Sequence, residues 1–425
     1  MGEKKVIYVT TLTPSEVGHG GVHRSYQILH QLEQIVGPGQ VLLFTKHQLL
    51  EQTAKNNDHD QGHPLRTGRR LKQWASHRAG TAKRILNNPY RLIQTTQFAT
   101  GLHPSIISYY ERQVKNLGTA VCVMEHAEFA DLIAINQKHG IPTISCTQNL
   151  DAFSQNFEVI SSNLAAVQTG KVGGKQRAGI YAAVVDFANE LQILAQCDER
   201  LFISKLETGL IGGLGLTARY YPYVPVGAIH SRLISTRQRR ASTRKEAGLF
   251  ILIGTASYGP IKKSCEWLIQ HARDQGLPKG VRIVVAGLGT ETLLTPGETV
   301  PGIELKGWVE QKEMDELLAR ARAVLVPQRF GFGVPTRLAE LSCAGVPVIG
   351  DRHPTYAIDP PPGFHVVDSL WTSWLEKIFE LCQEDICVAE NDYDSWEAAQ
   401  PRPLIEVVNM MLGNEVASLA CGAGS

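Results

Sequence analysis

The 425-residue sequence has no apolar run that approaches the ~20 residues needed to cross a bilayer. Its first residues, MGEKKVIYV, lack the charged, apolar and small-residue regions of a secretory signal. The eight cysteines are scattered, with no CxxC pair and no Cys/His spacing of the zinc type. These absences predict a cytoplasmic protein whose cysteines are buried thiols.

Acidic residues are absent from one long internal stretch, although the formal net charge is only +1. Between Asp60 and Glu111 there is no Asp or Glu. The basic residues of this stretch are Arg66, Arg69, Arg70, Lys72, Arg78, Lys83, Arg84 and Arg91. Apolar residues at helical spacing are Leu71, Trp74, Ala75, Ala82, Ile85 and Leu86.

We expect the run 66–91 to dock on an anionic surface, either a membrane or a charged acceptor, which would make the protein a peripheral one. The alternative is an ordinary helix that packs its apolar stripe on the N-terminal sheet. Nucleic-acid binding is not expected, because Trp74 and Tyr90 are the only aromatic residues in the run.

Short apolar runs alternate with helical patterns along most of the chain. In the N-terminal half the predicted strands are VIYVT (6–10), VLLFT (41–45), AVCVME (120–125), PTISCT (142–147) and RLFISK (200–205). In the C-terminal half they are LFILIGT (249–255), VRIVVAG (281–287), IELKG (303–307), AVLVP (323–327) and VPVIG (346–350). Runs of this kind suit parallel strands that are buried on both faces, with helices between them. The predicted fold class is therefore α/β, with two Rossmann-like domains facing across a cleft.

A chain of this length is too long for one compact core, so we expect two domains. The first covers residues 1–225 and the second 226–390. A C-terminal unit at 391–412, with a helical stretch from Trp396 to Leu412, would pack back on the first domain, and 413–425 would be a disordered tail. The segment YYPYVPVG (220–227) and the polar run STRQRRASTRKEAG (235–248) are interpreted as a linker and the edge of a new unit.

A first glycine loop, His19-Gly20-Gly21, follows the first predicted strand and precedes a helix whose apolar residues recur every three or four positions. Glycines at a helix start let the backbone approach a phosphate, and the helix offers free N–H groups there. The alternative is a tight turn without a ligand.

The densest cluster of candidate residues is VPQRFGFGVPTRLAELSCAGVPVIGDRHP, residues 326–354. Gly331, Phe332 and Gly333 form a loop before a helix that carries Arg337 and Glu340. Arg337 could bind a diphosphate with two hydrogen bonds, and Glu340 could accept both hydroxyls of a ribose. The alternative is an Arg337–Glu340 ion pair on a solvated helix.

This cluster resembles the C-terminal signature of the retaining GT-B glycosyltransferases of family 4 (glycosyl transferases group 1). GHGGVHRS resembles the glycine loop of that family, FISKLE its S-x-x-E segment and VVAGLGTE its A-G-x-G turn. The resemblance extends from about residue 5 to 350. It implies an N-terminal acceptor-side domain and a C-terminal nucleotide-sugar-binding domain.

The resemblance also implies roles for individual residues. Glu340 matches the glutamate that holds the nucleotide ribose, and Arg337 a basic residue that meets the diphosphate. Lys262 or Lys263 falls near the family lysine that also contacts the diphosphate. Trp308 and Val309 resemble the loop beside the base, and His126 the histidine that faces the transferred sugar; the alternative for His126 is a structural role at a strand end.

The resemblance implies a hexosyltransferase that uses a nucleoside-diphosphate sugar as donor, without a metal or other cofactor. Two features depart from the family pattern. Phe332 stands where the first glutamate of Glu-x7-Glu is expected, and Thr255 where the family has an arginine. Two alternatives therefore stay open: a nucleotide-sugar epimerase of the same fold, or a GT-B binding protein with weakened catalysis.

Overall fold

The computed structural model describes residues 4–51, 102–156, 174–328, 331, 333–384 and 386–414. The basic run 66–91, Phe332 and most of the tail lie outside these residues. The described chain forms two six-stranded parallel sheets. The first has the strand order β2-β1-β3-β4-β5-β6 and the second β12-β11-β10-β7-β8-β9.

The strands of the first sheet are β1 (Lys5–Thr10), β2 (Val41–Thr45), β3 (Ala120–Met124), β4 (Thr143–Thr147), β5 (Glu199–Phe202) and β6 (Arg219–Tyr220). Those of the second are β7 (Leu249–Ile253), β8 (Arg282–Ala286), β9 (Ile303–Gly307), β10 (Ala323–Val326), β11 (Val348–Asp351) and β12 (Phe364–Val367).

Helices connect the strands and cover both sheets. Those before β7 are α1 (Gly20–Val36), α2 (Pro104–Val114), α3 (Asp131–Lys138), α4 (Asp151–Gln155), α5 (Gly174–Ala195), α6 (Lys205–Gly213) and α7 (Gly227–Ser242). Those after β7 are α8 (Gly259–Gln275), α9 (Gln311–Arg320), α10 (Arg337–Cys343), α11 (Trp371–Gln383), α12 (Glu390–Ala398) and α13 (Pro403–Met411).

The central strands of both sheets are buried on their two faces. Along β7, Leu249 and Ile251 pack with Leu338 of α10, whereas Phe250 and Leu252 pack with Leu268 of α8. Because alternate strand residues point to opposite faces, a strand between two helical layers has to be apolar throughout. The predicted fold class of two Rossmann-like units is therefore confirmed.

The C-terminal end of the chain returns to the first sheet. Leu404 and Val408 of α13 belong to the same buried cluster as Val6 and Tyr8 of β1. The prediction of one helical stretch from Trp396 to Leu412 is wrong, since α12 ends at Ala398 and α13 begins at Pro403. Proline interrupts the helix because it has no N–H to donate and fixes its own φ angle. The domain boundaries themselves stay a prediction.

The interpretation of the polar run STRQRRASTRKEAG, residues 235–248, as a linker is wrong for the first half of that run. Helix α7 includes STRQRRAS, and its Arg237 and Arg240 are buried. Arg237 donates to the carbonyls of Ser342 and Cys343 at the end of α10. Arg240 donates to three carbonyls at the end of α9, those of Leu318, Ala321 and Arg322. The last carbonyls of a helix have no intrahelical partner, so these two arginines anchor α7 to two helix ends.

No helix in the described part of the chain is long and apolar enough to cross a membrane.

We predict that Arg240→Met lowers the free energy of unfolding by about 1–3 kcal/mol, the cost of leaving buried polar groups without a partner. Urea titration followed by circular dichroism measures the change. The matched control is Arg239→Met, because Arg239 lies on the same helix but is exposed. Equal stability of the two variants would show that the carbonyls of α9 do not depend on Arg240.

Candidate functional site between the two sheets

Each sheet has one position at which the direction of strand order reverses. In the first sheet it lies between β1 and β3, and in the second between β7 and β10. Parallel sheets of this kind bind ligands beyond the carboxyl ends of their strands at such a switch point. The glycine loop follows β1, His126 follows β3, and the 327–336 segment follows β10. Topology thus brings most of the predicted site residues to two crevices.

The two crevices are in contact at glycine positions. A Cβ atom on Gly20 would lie 2.1 Å from Thr336 Oγ1, across the interface between the sheets. A Cβ on Gly333, whose φ is 76°, would lie 2.9 Å from the backbone oxygen of Gln148. Gly20 does not have a positive φ. Its lack of a side chain is therefore required by close approach of the other half and not by turn geometry.

Glu340 links the two halves of the protein. Its Oε1 atom accepts a hydrogen bond from His23 Nδ1 of α1 at 2.7 Å and another from the hydroxyl of Tyr223 at 2.8 Å. Burial tends to raise the pKa of Glu340, but the contacts with His23 and Tyr223 outweigh it and hold the pKa below its ordinary value. The side chain is 15% exposed. Glu340 is consequently an ionised carboxylate at the junction of the crevices.

Arg337 lies at the carboxyl end of β7. Its Nη1 donates to the carbonyl oxygen of Ile253, and a Cβ on Gly254 would lie 3.2 Å from the same nitrogen. Its Nε is buried and has no hydrogen-bond partner among the described residues. Burial lowers the pKa of Arg337 to about 10, so the guanidinium stays charged at neutral pH. The alternative of a solvated Arg337–Glu340 ion pair is wrong, because the Glu340 carboxylate is bound by groups of the other half.

The remaining candidates of the C-terminal half follow β7, β9 and β10 of the second sheet. Helix α8 begins at Gly259 with no capping side chain, and a Cβ on Gly331 would lie 3.6 Å from Pro260 in its first turn. Lys262 is exposed and pairs with Glu266 at 3.8 Å, whereas Lys263 is half-buried. Trp308 follows β9 and is 64% exposed.

Under the glycine loop lies a buried carboxylate, Glu125, which the sequence analysis did not single out. It accepts hydrogen bonds from Tyr8, Ser25 and Gln148, at 2.9, 2.8 and 2.6 Å respectively. Gln148 also donates to the carbonyl of Gly21 at 3.0 Å. Glu125 therefore helps to fix the start of α1. The sequence did contain a signal for Glu125, because an acidic residue at the end of the apolar run AVCVME indicates a carboxylate at the end of a buried strand.

Glu207 of α6 forms a second connection between the halves. The carboxylate is 3% exposed, accepts from the Leu150 N–H at 2.9 Å and also interacts with the Gly333 N–H. Burial raises the pKa of Glu207 to about 7. Glu207 is the acid of the S-x-x-E segment, but no sequence signal indicated that it would reach the 331–333 loop.

No protein-family model matches this chain, and neither does the sequence of any curated protein. Solved structures do match its fold. Sucrose-phosphate synthase from Thermosynechococcus elongatus has a TM-score of 0.58 at 12% identity, over 96% of this chain and 97% of that one. Anabaena HepE, solved with UDP and glucose, has a TM-score of 0.53 at 10% identity, over 96% and 98%.

The trehalose-6-phosphate synthase of Burkholderia multivorans gives a TM-score of 0.51 at 9% identity, over 96% of this chain and 95% of that one. These three proteins are GT-B glycosyltransferases. At such low identity the likeness establishes the fold alone: this chain has the GT-B fold. Within the described residues, no group of three or more His, Cys, Asp or Glu side chains is arranged to hold a metal ion.

We predict that Glu207→Gln flattens the pH dependence of stability. The folded state keeps a proton on Glu207 up to about pH 7, whereas the unfolded chain loses it near the ordinary value of 4.5. Stability associated with this proton is present at low pH and is lost as the pH rises through the folded pKa. Between pH 5 and 8 the unfolding free energy of the wild type should fall by roughly 3 kcal/mol relative to the variant.

Urea unfolding at several pH values measures this difference. Glu316→Gln, at an exposed position of α9, is the control and should follow the wild type. Parallel pH profiles of the wild type and Glu207→Gln would contradict the assignment of a neutral carboxyl group.

Proposed function

We propose that this protein is a glycosyltransferase that moves a hexosyl group from a nucleoside-diphosphate sugar to an acceptor. The observation that carries the proposal is the convergence of Arg337, Glu340 and the glycine segments at the contact between two switch-point crevices. Nucleotide ligands need a cation for the phosphates, an acceptor for the ribose hydroxyls and close backbone approach. In this proposal residues 226–390 bind the donor and 1–225 the acceptor.

The diphosphate would bind beside Arg337. Its Nε–H is a buried donor without a partner among the residues that the structure describes, and such a donor is stabilised when a ligand oxygen accepts from it. The uncapped N–H groups at the start of α8 and the ammonium group of Lys262 or Lys263 would add further positive charge. Negative charge develops on the diphosphate as the sugar leaves, so fixed donors there lower the barrier.

The ribose would bind to Glu340. Oε1 already accepts from His23 and Tyr223, while Oε2 has no donor among the described residues. An ionised carboxylate whose first oxygen is fixed in this way is oriented to accept a ribose hydroxyl with the second. Trp308, exposed at the end of β9, is suited to stack on the base.

We further propose that the sugar is transferred with retention of its anomeric configuration and without a metal ion. The family resemblance supports retention. The cationic groups beside the diphosphate would take over the charge neutralisation that a divalent ion provides elsewhere. His126 would face the transferred sugar, and the acceptor would enter from the N-terminal half, where the run 66–91 could bring it to an anionic membrane.

The epimerase alternative needs several acid/base carboxylates and a histidine around the sugar. Glu190 and Glu207 do lie near Asp151, but both carboxylates accept from backbone N–H groups. This occupation favours structural roles for them and disfavours the epimerase. An epimerase would yield an epimeric nucleotide sugar, a transferase would release the diphosphate only with an acceptor, and a binding protein would do neither.

We predict that Glu340→Ala and Arg337→Ala each weaken nucleoside-diphosphate binding by about 1.5–3 kcal/mol, the range for hydrogen bonds to charged groups. This corresponds to roughly 10- to 150-fold in Kd by titration calorimetry. Glu316→Ala, an exposed change on α9, should bind like the wild type. Thermal melts verify that both variants fold. Unchanged affinity in both would remove this crevice as the nucleotide site.

We predict that transfer persists in excess chelator and that proton NMR of the product shows the anomeric configuration of the donor. The physical reason is that protein cations, and not a metal, neutralise the diphosphate. Loss of activity on chelation with recovery on adding manganese would contradict the first part. An inverted anomeric signal would contradict the second.

A further inference from the structure

The strand β3 ends next to a short chain of polar groups that begins at His126 and continues through Asp151 to Glu190. His126 follows β3, and its Nδ1 lies 3.4 Å from Asp151 Oδ1 at the start of α4. The other carboxylate oxygen of Asp151 accepts from the Ala127 N–H at 3.1 Å. Asp151 thus contacts the imidazole and the peptide that follows it, so Nδ1 carries a proton and donates it to the carboxylate.

The backbone of Asp151 is itself fixed by a second carboxylate, that of Glu190. The N–H groups of Asp151 and Ala152 donate to the two oxygens of Glu190, at 2.8 and 2.9 Å. Glu190 is fully buried on α5. This arrangement positions the first turn of α4 and leaves the Asp151 side chain directed at His126.

The charged groups that face His126 from the surrounding elements are mostly acidic. They are Asp151 of α4, Glu125 at the end of β3 and Glu128 of the following turn, and Glu128 is paired with Lys46 at 2.8 Å. Burial by itself would lower the pKa of His126, but these carboxylates, Asp151 foremost, outweigh it and raise the pKa to about 9. The ring is therefore protonated on both nitrogens at neutral pH.

The second ring nitrogen lacks an acceptor. His126 Nε2 is buried and has no hydrogen-bond partner among the described residues. A buried, charged N–H without a partner is costly, and a ligand oxygen would relieve that cost. A protonated imidazole cannot accept a proton, so the ring is suited to donate to oxygen and not to act as a general base.

We propose that Asp151 is a positioning residue that keeps His126 as an imidazolium whose Nε2–H donates to an oxygen of the bound sugar donor. The identity of that oxygen rests on the proposed function, whereas the ionic Asp151–His126 pair does not. In the proposed reaction the acceptor hydroxyl is consequently deprotonated by a group other than His126.

The test is NMR titration of the full-length protein with ¹³C-labelled histidine, in which His126→Gln identifies the signal. In the wild type the His126 signal should titrate above pH 8. In Asp151→Asn its midpoint should fall by about 1–3 units, the usual effect of one adjacent opposite charge. The matched control is Asp198→Asn, because Asp198 likewise accepts from a peptide N–H, that of Thr143 at 2.7 Å. It should leave the His126 midpoint unchanged.

A midpoint near 6.5 in the wild type, or an equal midpoint in Asp151→Asn, would overturn the proposal. If Asp151→Asn does not fold, the wild-type titration alone decides. Once a donor is found, Asp151→Asn should lower kcat with little change in nucleoside-diphosphate Kd. Absence of transfer from every donor would contradict the proposed function, and the titration would still decide the role of Asp151.

Discussion

The Glu340 carboxylate is the contact on which the relative placement of the two sheets depends most. It belongs to the C-terminal half, and one of its oxygens accepts hydrogen bonds from His23 and Tyr223 of the other half. A carboxylate that is mostly buried has to be compensated by donors, or its desolvation disfavours the folded state. Both donors lie across the interface, so the charge is satisfied only while the halves are together. If Glu340 binds the ribose as proposed, nucleotide binding and contact between the halves are coupled through one side chain.

The same interface explains the glycines on both sides. Gly20 and Gly333 each meet the opposite half at a distance that a side chain would not permit. Glu207 interacts with Gly333 from the N-terminal half and is neutral up to about pH 7. The crevice therefore has a backbone surface at its centre and charged groups at Arg337, Glu340 and His126 around it. This distribution suits a ligand with a diphosphate at one end and a sugar at the other.

Much of the fold could be predicted from local sequence. The runs AVCVME and AVLVP contain β3 and β10, because a strand buried on both faces must be apolar at every position. The short β6 was missed, and the α12–α13 break was missed despite its prolines. The polar run of α7 was mistaken for a linker. Its Arg237 and Arg240 bind the carbonyls of helices that lie about 80 to 105 positions further along the chain, and the local sequence does not show this.

The roles of the site residues stay a prediction, although local sequence does indicate where several of them lie in the fold. Local motifs placed Gly20, His126 and Arg337 beside strand ends, and the topology brings those strand ends together. The side chains that orient the candidate residues come from other segments of the chain. Tyr223 orients Glu340, and Asp151 orients His126. No local pattern encodes such pairs, because the first arises from how the two halves face each other and the second from the pairing of β3 with β4.

The most direct test of the account is a crystal structure of the protein soaked with UDP, GDP or ADP, using whichever nucleotide stabilises it most in a thermal shift assay. The account predicts difference density between the two sheets, with the ribose on Glu340 and the diphosphate between Arg337 and the start of α8. Density for the nucleotide elsewhere, with this crevice unchanged, would contradict it.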